Sequence, residues 1–236
     1  MTTDLDTTDL DALNAAARAD NQDPALFGQT PSQTVGPFFH YGLPWKGGAD
    51  LVERSEMGAR ADLMPPEHFQ LASSGVSGRP LGEVIEIAGG VYDGSGAPLN
   101  DVMIEIWHAN AAGRYASAED GRAEVPLDPH FIGFGRAATS REGIWRFRTI
   151  RPGRVPGPGN TLQAPHIALS VLGRGLLKRL ATRLYFEDGE GNADDPILAL
   201  VPSERRQTLV ARRRPDGVWW LDIVLQGENE TVFFDL

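Results

Sequence analysis

The chain has 236 residues, 41% of them hydrophobic, with a formal net charge of -10 and a pI near 4.9. That much apolar material can build a folded core, while the acidic balance argues against a phosphate-backbone partner. The sequence has no cysteine, which removes disulfides and thiolate metal sites, and no apolar run reaches membrane-spanning length.

Residues 1–28 form an acidic N-terminal extension. Asp4, Asp6, Asp9 and Asp11 precede any Lys or Arg, the wrong charge for a signal peptide, so a soluble cytoplasmic protein is the default. Thr8-Asp9-Leu10-Asp11 resembles a capped helix start, with Leu10, Leu13 and Ala17 on one face. Either a short docking helix or a frayed tail fits. Residues 29–80 read as an arm. Its first part, TPSQTVGPFFHYGL from Thr30 to Leu43, is a loop without regular periodicity. Phe38, Phe39 and Tyr41 give that loop enough apolar weight to pack against something. Residues 44–80, rich in Gly, Pro and Ser, predict a long irregular connection.

Residues 81–236 predict an all-β domain. Strands are expected at Glu83–Asp93, Asp101–His108, Ile144–Ile150, His166–Leu172, Thr182–Phe186, Gln207–Arg212 and Val218–Gln226. Asp93-Gly94-Ser95-Gly96-Ala97-Pro98 is a turn between the first two. On the second strand Val102, Ile104 and Ile106 share one face, while Met103, Glu105 and Trp107 share the other. Short strands between Gly/Pro turns, with no convincing long helix, indicate a β-sandwich. Arg212-Arg213-Arg214 before Pro215-Asp216-Gly217 reads as a solvated or partner-facing loop.

The chemistry-bearing residues are scattered. Five histidines and four tyrosines join the carboxylates as candidate hard-metal ligands, but they lie on separate loops and strands. Pro165-His166-Ile167-Ala168 is the most telling stretch. Alternation on a strand sends residues two apart to one face, so His-X-His there would offer two imidazoles to a metal. Here the second position is alanine. Ser32, Ser140 and Ser170 lack a nucleophile-elbow context, and no Gly-rich phosphate loop occurs.

Five stretches together resemble the intradiol ring-cleaving dioxygenases. They are Val91-Tyr92-Asp93-Gly94-Ser95-Gly96, Ile106-Trp107-His108-Ala109-Asn110, Pro126-Leu127-Asp128-Pro129, Phe147-Arg148-Thr149-Ile150-Arg151-Pro152-Gly153 and Leu184-Tyr185-Phe186. The Thr30–Leu43 loop and the tail from Gln226 to Leu236 narrow the likeness to the alpha chains of the family's two-chain, protocatechuate-cleaving branch. The resemblance covers nearly everything after residue 29. It implies a β-sandwich of the intradiol dioxygenase type with long N-terminal irregular loops.

It also implies a division of labour. A partner beta chain would hold catalytic Fe(III) through two tyrosines and two histidines, close to an alpha/beta interface. Carried over motif by motif, those positions fall here at Ala123, Val155, His166 and Ala168. Ala and Val offer no donor atom, so this chain is expected to bind no catalytic metal by itself. Among the tyrosines, Tyr92 and Tyr185 read as core or rim aromatics, and Tyr115 is the hardest to dismiss as a ligand. The resemblance gives this chain part of the substrate-pocket wall: the backbone of Thr34, Val35, Gly36 and Pro37, and Arg174 for the carboxylate of the aromatic acid. A guanidinium between two glycines suits that task. The implied reaction inserts O2 between the two hydroxyl-bearing carbons of protocatechuate, giving 3-carboxy-cis,cis-muconate, without nicotinamide, flavin or haem. A related pair acting on another substituted catechol, such as a sulfocatechol, and a metal-free β-sandwich binding module are the rival readings.

Overall fold

The computed structural model describes residues 48–53, 55, 57 and 78–235. Thr34, Gly36, Pro37 and the expected helix start at Thr8 lie outside them. Among the described residues, no helix is long and apolar enough to cross a membrane.

Among the described residues eleven strands follow one another: β1 Val84–Tyr92, β2 Val102–Trp107, β3 Phe134–Ala138, β4 Ile144–Ile150, β5 Val155–Pro156, β6 Leu162–Gln163, β7 His166–Gly173, β8 Leu180–Phe186, β9 Val210–Arg213, β10 Trp219–Trp220 and β11 Ile223–Val224. Hydrogen bonding runs β11-β1-β10-β9-β8-β7-β2-β3, with β4 on the other edge of β1, and β5 pairs with β6 alone. The chain thus folds as a sandwich. The β1/β4 layer faces the β8/β7/β2/β3 layer, and short β9 and β10 carry the hydrogen bonding from one to the other. Ile85, Ile87, Trp145 and Phe147 from the first layer share one core with Ile104, Ile106, Ile167, Leu169 and Leu184 from the second. The expected alternation on β2 is present: Ile104 and Ile106 are fully buried, whereas Glu105 and Trp107 stand half-buried on the outer face.

The turn at Asp93 forms because its carboxylate takes the backbone N–H groups of Ser95 and Ala97 at 2.8 and 2.9 Å. Part of the arm joins the sheet. Gly48 accepts from the Arg136 N–H, and Ala49 and Leu51 exchange hydrogen bonds with Arg148.

Two strand expectations are corrected. Gln207–Arg212 is not one strand, because Ser203–Leu209 winds as a 3-10 segment and β9 covers only Val210–Arg213. Its residues are mostly polar, and local bonds such as Arg205 N–H to the Pro202 carbonyl take precedence over a ladder. Val218–Gln226 is interrupted after Trp220. There the Asp222 carboxylate accepts from the Gly90 N–H at 2.8 Å and from the Trp220 indole at 2.8 Å, replacing ladder bonds with side-chain bonds. Strand β3 was not expected. Its sequence, Phe-Gly-Arg-Ala-Ala, contains no β-branched residue, and pairing with β2 places it there. The arginine run is partly strand as well. Arg213 lies opposite Trp219, and the Arg214 guanidinium sits 3.2 Å from the centre of the Trp220 ring.

Candidate functional site

The outer face of the β8/β7/β2/β3 layer carries a row set by strand register: Phe134, Trp107, Ala168 and Arg183 lie side by side across four strands. The next row is Arg136, Glu105, Ser170 and Ala181. Ala168 in the first row, and Ser170 and Ala181 in the second, are small beside their neighbours and leave a hollow of about 660 Å³. Trp107, Phe134, Arg179, Arg183 and Phe234 wall it. The C-terminal tail forms one rim, where the Phe234 N–H donates to the Ala181 carbonyl at 2.8 Å.

His166 lies two residues along β7 from Ala168, beyond the side chains that line the hollow. It is 6% exposed, and its Nδ1 lies 2.8 Å from the Ala164 carbonyl oxygen. A carbonyl only accepts, so Nδ1 carries the proton. Burial, then the Arg183 charge, lowers its pKa to about 4, against the Ala164 bond, so the ring is neutral. Opposite it, Tyr185 is fully buried and 5.7 Å away ring to ring. The Tyr185 hydroxyl donates to Asp195 Oδ1 at 3.2 Å and accepts from Arg183 Nη1 at 3.2 Å. Burial pushes its pKa up to about 12. Asp195, fully buried, also accepts the backbone N–H groups of Ala164, Ile197 and Leu198 at 2.7–2.9 Å, fastening the loop after β8 to the start of β7.

The other expected ligand positions carry no donor. Val155 is buried in β5 opposite Gln163, and Ala123 is exposed in a turn. The loop around Ala123 is tied back by Arg122, which grips Asp120 through Nε and Nη2 at 2.7 and 2.6 Å. Those bonds hold the Asp120 carboxyl far below the usual carboxylate range. Asp120 in turn accepts the Tyr115 N–H, and the Tyr115 ring stacks on Trp107 at 5.8 Å. Burial raises the Tyr115 pKa. A ferric ion needs anionic oxygen donors and neutral imidazoles converging on one point. The surroundings of the hollow offer one imidazole, two tyrosine hydroxyls whose pKa burial raises, and a guanidinium directly opposite the expected second histidine position. These residues do not fit Fe(III). Among the described residues, no three His, Asp or Glu side chains gather as a metal-holding group.

Several motif residues turn out to knit loops together. His108 is fully buried between the Ala109 carbonyl on Nδ1 and the Thr149 hydroxyl on Nε2, both at 2.8 Å. Burial is the main cause that lowers its pKa to about 4. The Asn110 side chain reaches the Pro126 carbonyl and takes the N–H groups of Ala112 and Arg114. Asp128 accepts the Leu81 and His130 N–H groups.

Arg174 lies elsewhere. It follows the far end of β7, roughly 25 Å from His166 at the usual rise per strand residue. Its side chain is 59% exposed and pairs through Nε with Asp101. Whatever it recognises therefore approaches from outside the hollow on this chain. The basic residue that sequence reasoning missed is Arg183. It was visible only as an outward position in an expected strand; the register that sets it opposite Ala168 is tertiary.

Residues 65–219 match the family model described as Dioxygenase. The chain is 40% identical over 217 residues to the protocatechuate 3,4-dioxygenase alpha chain of Burkholderia cepacia, covering 88% of this chain and 98% of that one. It is 38% identical over 179 residues to the beta chain from Burkholderia cepacia, covering 72% and 76%. The crystal structure of 3-chlorocatechol 1,2-dioxygenase from Rhodococcus opacus 1CP shares the fold, with a TM-score of 0.52 at 21% identity, over 89% of this chain and 76% of that one. A family match over most of the sandwich, and a 40% identical relative spanned almost end to end, place the chain in the intradiol ring-cleaving dioxygenase family.

Proposed function

We propose that this chain is the alpha subunit of an alpha/beta protocatechuate 3,4-dioxygenase, with Fe(III) held by the beta subunit. The observation that carries this reading is the cleft itself, where Arg183 faces Ala168 beside a neutral, carbonyl-bound His166. Such a chain contributes to ring cleavage by completing a neighbour's pocket. Similarity to an alpha chain and, at lower coverage, to a beta chain supports the pairing. The complex would cleave protocatechuate with O2 between its two hydroxyl-bearing carbons, giving 3-carboxy-cis,cis-muconate.

Within that complex Arg174 binds the substrate carboxylate, and the backbone of Thr34, Gly36 and Pro37 lines the entrance. The energetics favour the exchange this requires. An exposed ion pair such as Arg174–Asp101 is worth about 0–1 kcal/mol. A charge-assisted hydrogen bond in a closed pocket is worth about 1.5–3 kcal/mol, so a substrate carboxylate can displace Asp101.

Co-expression with a beta chain tests the proposal. The expected result is a co-purifying complex that consumes protocatechuate and O2 in equal amounts. A chain that never co-purifies with a beta chain, or a complex that turns over a sulfocatechol and leaves protocatechuate untouched, would contradict it.

A further inference from the structure

The hollow over Ala168 has a use for which no metal is needed. Arg183 is anchored by one corner only: Nη1 donates to Gln163 Oε1 at 2.6 Å and to the Tyr185 hydroxyl at 3.2 Å. Among the described residues, Nη2 and Nε take no hydrogen bond, and no carboxylate pairs with this half-buried guanidinium. Arg179 has a single long contact, Nη1 to Ser170 Oγ at 3.4 Å, and no carboxylate partner among the described residues. The acids nearby are already engaged: Glu105 pairs with Arg136, Asp235 with Lys178, and the buried Asp195 reaches Arg183 only through the Tyr185 hydroxyl.

Aromatic rings form much of the remaining wall, beside Ile197, Leu200 and the already paired Glu105 and Asp235. Trp107 and Phe134 lie on one side of Ala168, and the Phe234 ring lies 5.8 Å from the Arg183 guanidinium carbon on the other. The space, about 660 Å³, is of small-ligand size. A guanidinium edge matches a carboxylate in a planar, two-point arrangement, and flat apolar walls favour a ring behind it.

We propose that this cleft is a non-catalytic binding site for a small aromatic carboxylate, with the Nη2/Nε edge of Arg183 on the carboxylate and Arg179 as the second cation. The site lies wholly within this chain and stands whether or not the partner assignment holds. Its ligand needs no vicinal hydroxyls, because the residues here do not fit a metal that would take them.

Equilibrium dialysis of the full-length chain against labelled benzoate, acetate and phosphate tests this. Benzoate should saturate at one equivalent per chain, acetate should bind at least tenfold more weakly, and phosphate should not displace benzoate. Arg183→Gln should weaken benzoate binding roughly tenfold or more. Ala168→Glu should do the same with the arginine in place, by supplying an internal carboxylate across the strand. Circular dichroism would confirm that both variants fold. No saturable benzoate binding to the wild-type chain would overturn the site. Unchanged affinity in both folded variants would overturn the role of Arg183. Equal binding of acetate, or displacement by phosphate, would overturn the aromatic specificity.

Discussion

Arg174 and Asp195 show how differently two charged side chains of this chain are used. Arg174 is exposed and, among the described residues, paired only with Asp101, so its removal should leave the fold alone. In the alpha/beta complex, Arg174→Ala is expected to raise KM for protocatechuate tenfold to a hundredfold, from about 1.5–3 kcal/mol of lost binding, with a smaller change in kcat. Unchanged steady-state constants would remove it from the pocket. Asp195 is the opposite case, a buried carboxylate that accepts from three backbone N–H groups and the Tyr185 hydroxyl. Asp195→Ala should destabilise the chain by about 3 kcal/mol or more, since several buried donors lose their acceptor together. A shift in the urea midpoint without a change in slope would register it. Asp195 drew no attention in the sequence because its partners come from three separate segments.

At the scale of elements, the sandwich was legible wherever one face is buried and the other is not. Ile104 and Ile106 against Glu105 and Trp107 is such a case, as is the turn at Asp93. Strand β3 was hidden because Phe-Gly-Arg-Ala-Ala has neither β-branched residues nor clean alternation. The interruption near Asp222 was hidden because a carboxylate standing in for a ladder bond has no local signature. At the site, the lack of donor atoms at the positions the resemblance implies was readable as letters, Ala123, Val155 and Ala168. What now occupies the cleft was not, because Arg183 meets Ala168 only through the pairing of β7 with β8. The junction beside β1 gives a sharp test. A Cβ on Gly89 would lie 1.7 Å from the Leu221 carbonyl oxygen, a clash that no side-chain rotation relieves. Gly89→Ala should therefore separate β1 from the β10–β11 segment and cost on the order of 3 kcal/mol or more. A variant that melts with the wild type would show that the junction yields.

For the whole molecule, two buried neutral histidines make stability depend on pH in a predictable direction. The pKa of both His108 and His166 is lowered to about 4, principally by burial, from an ordinary value of 6.5. Between those values the unfolded chain binds protons that the folded one refuses. Stability should therefore be fully present above about pH 6.5 and fall as pH drops towards 4, by up to roughly 3 kcal/mol per histidine. Urea unfolding between pH 5 and 7 reads this before most carboxylates titrate, and His166→Gln should reduce the slope. A flat profile would mean that the rings protonate without cost. The expected place of iron is tested at the same scale. The most direct measurement is the iron-to-chain ratio, with protocatechuate turnover, for this chain alone, for the alpha/beta complex, and for a complex carrying His166→Ala in this chain. The account predicts no stoichiometric iron and no turnover for the chain alone, one iron per alpha/beta pair in the complex, and the same iron content in the His166→Ala complex. Stoichiometric Fe(III) with ring cleavage in the isolated chain, or loss of the complex's iron on His166→Ala, would contradict it.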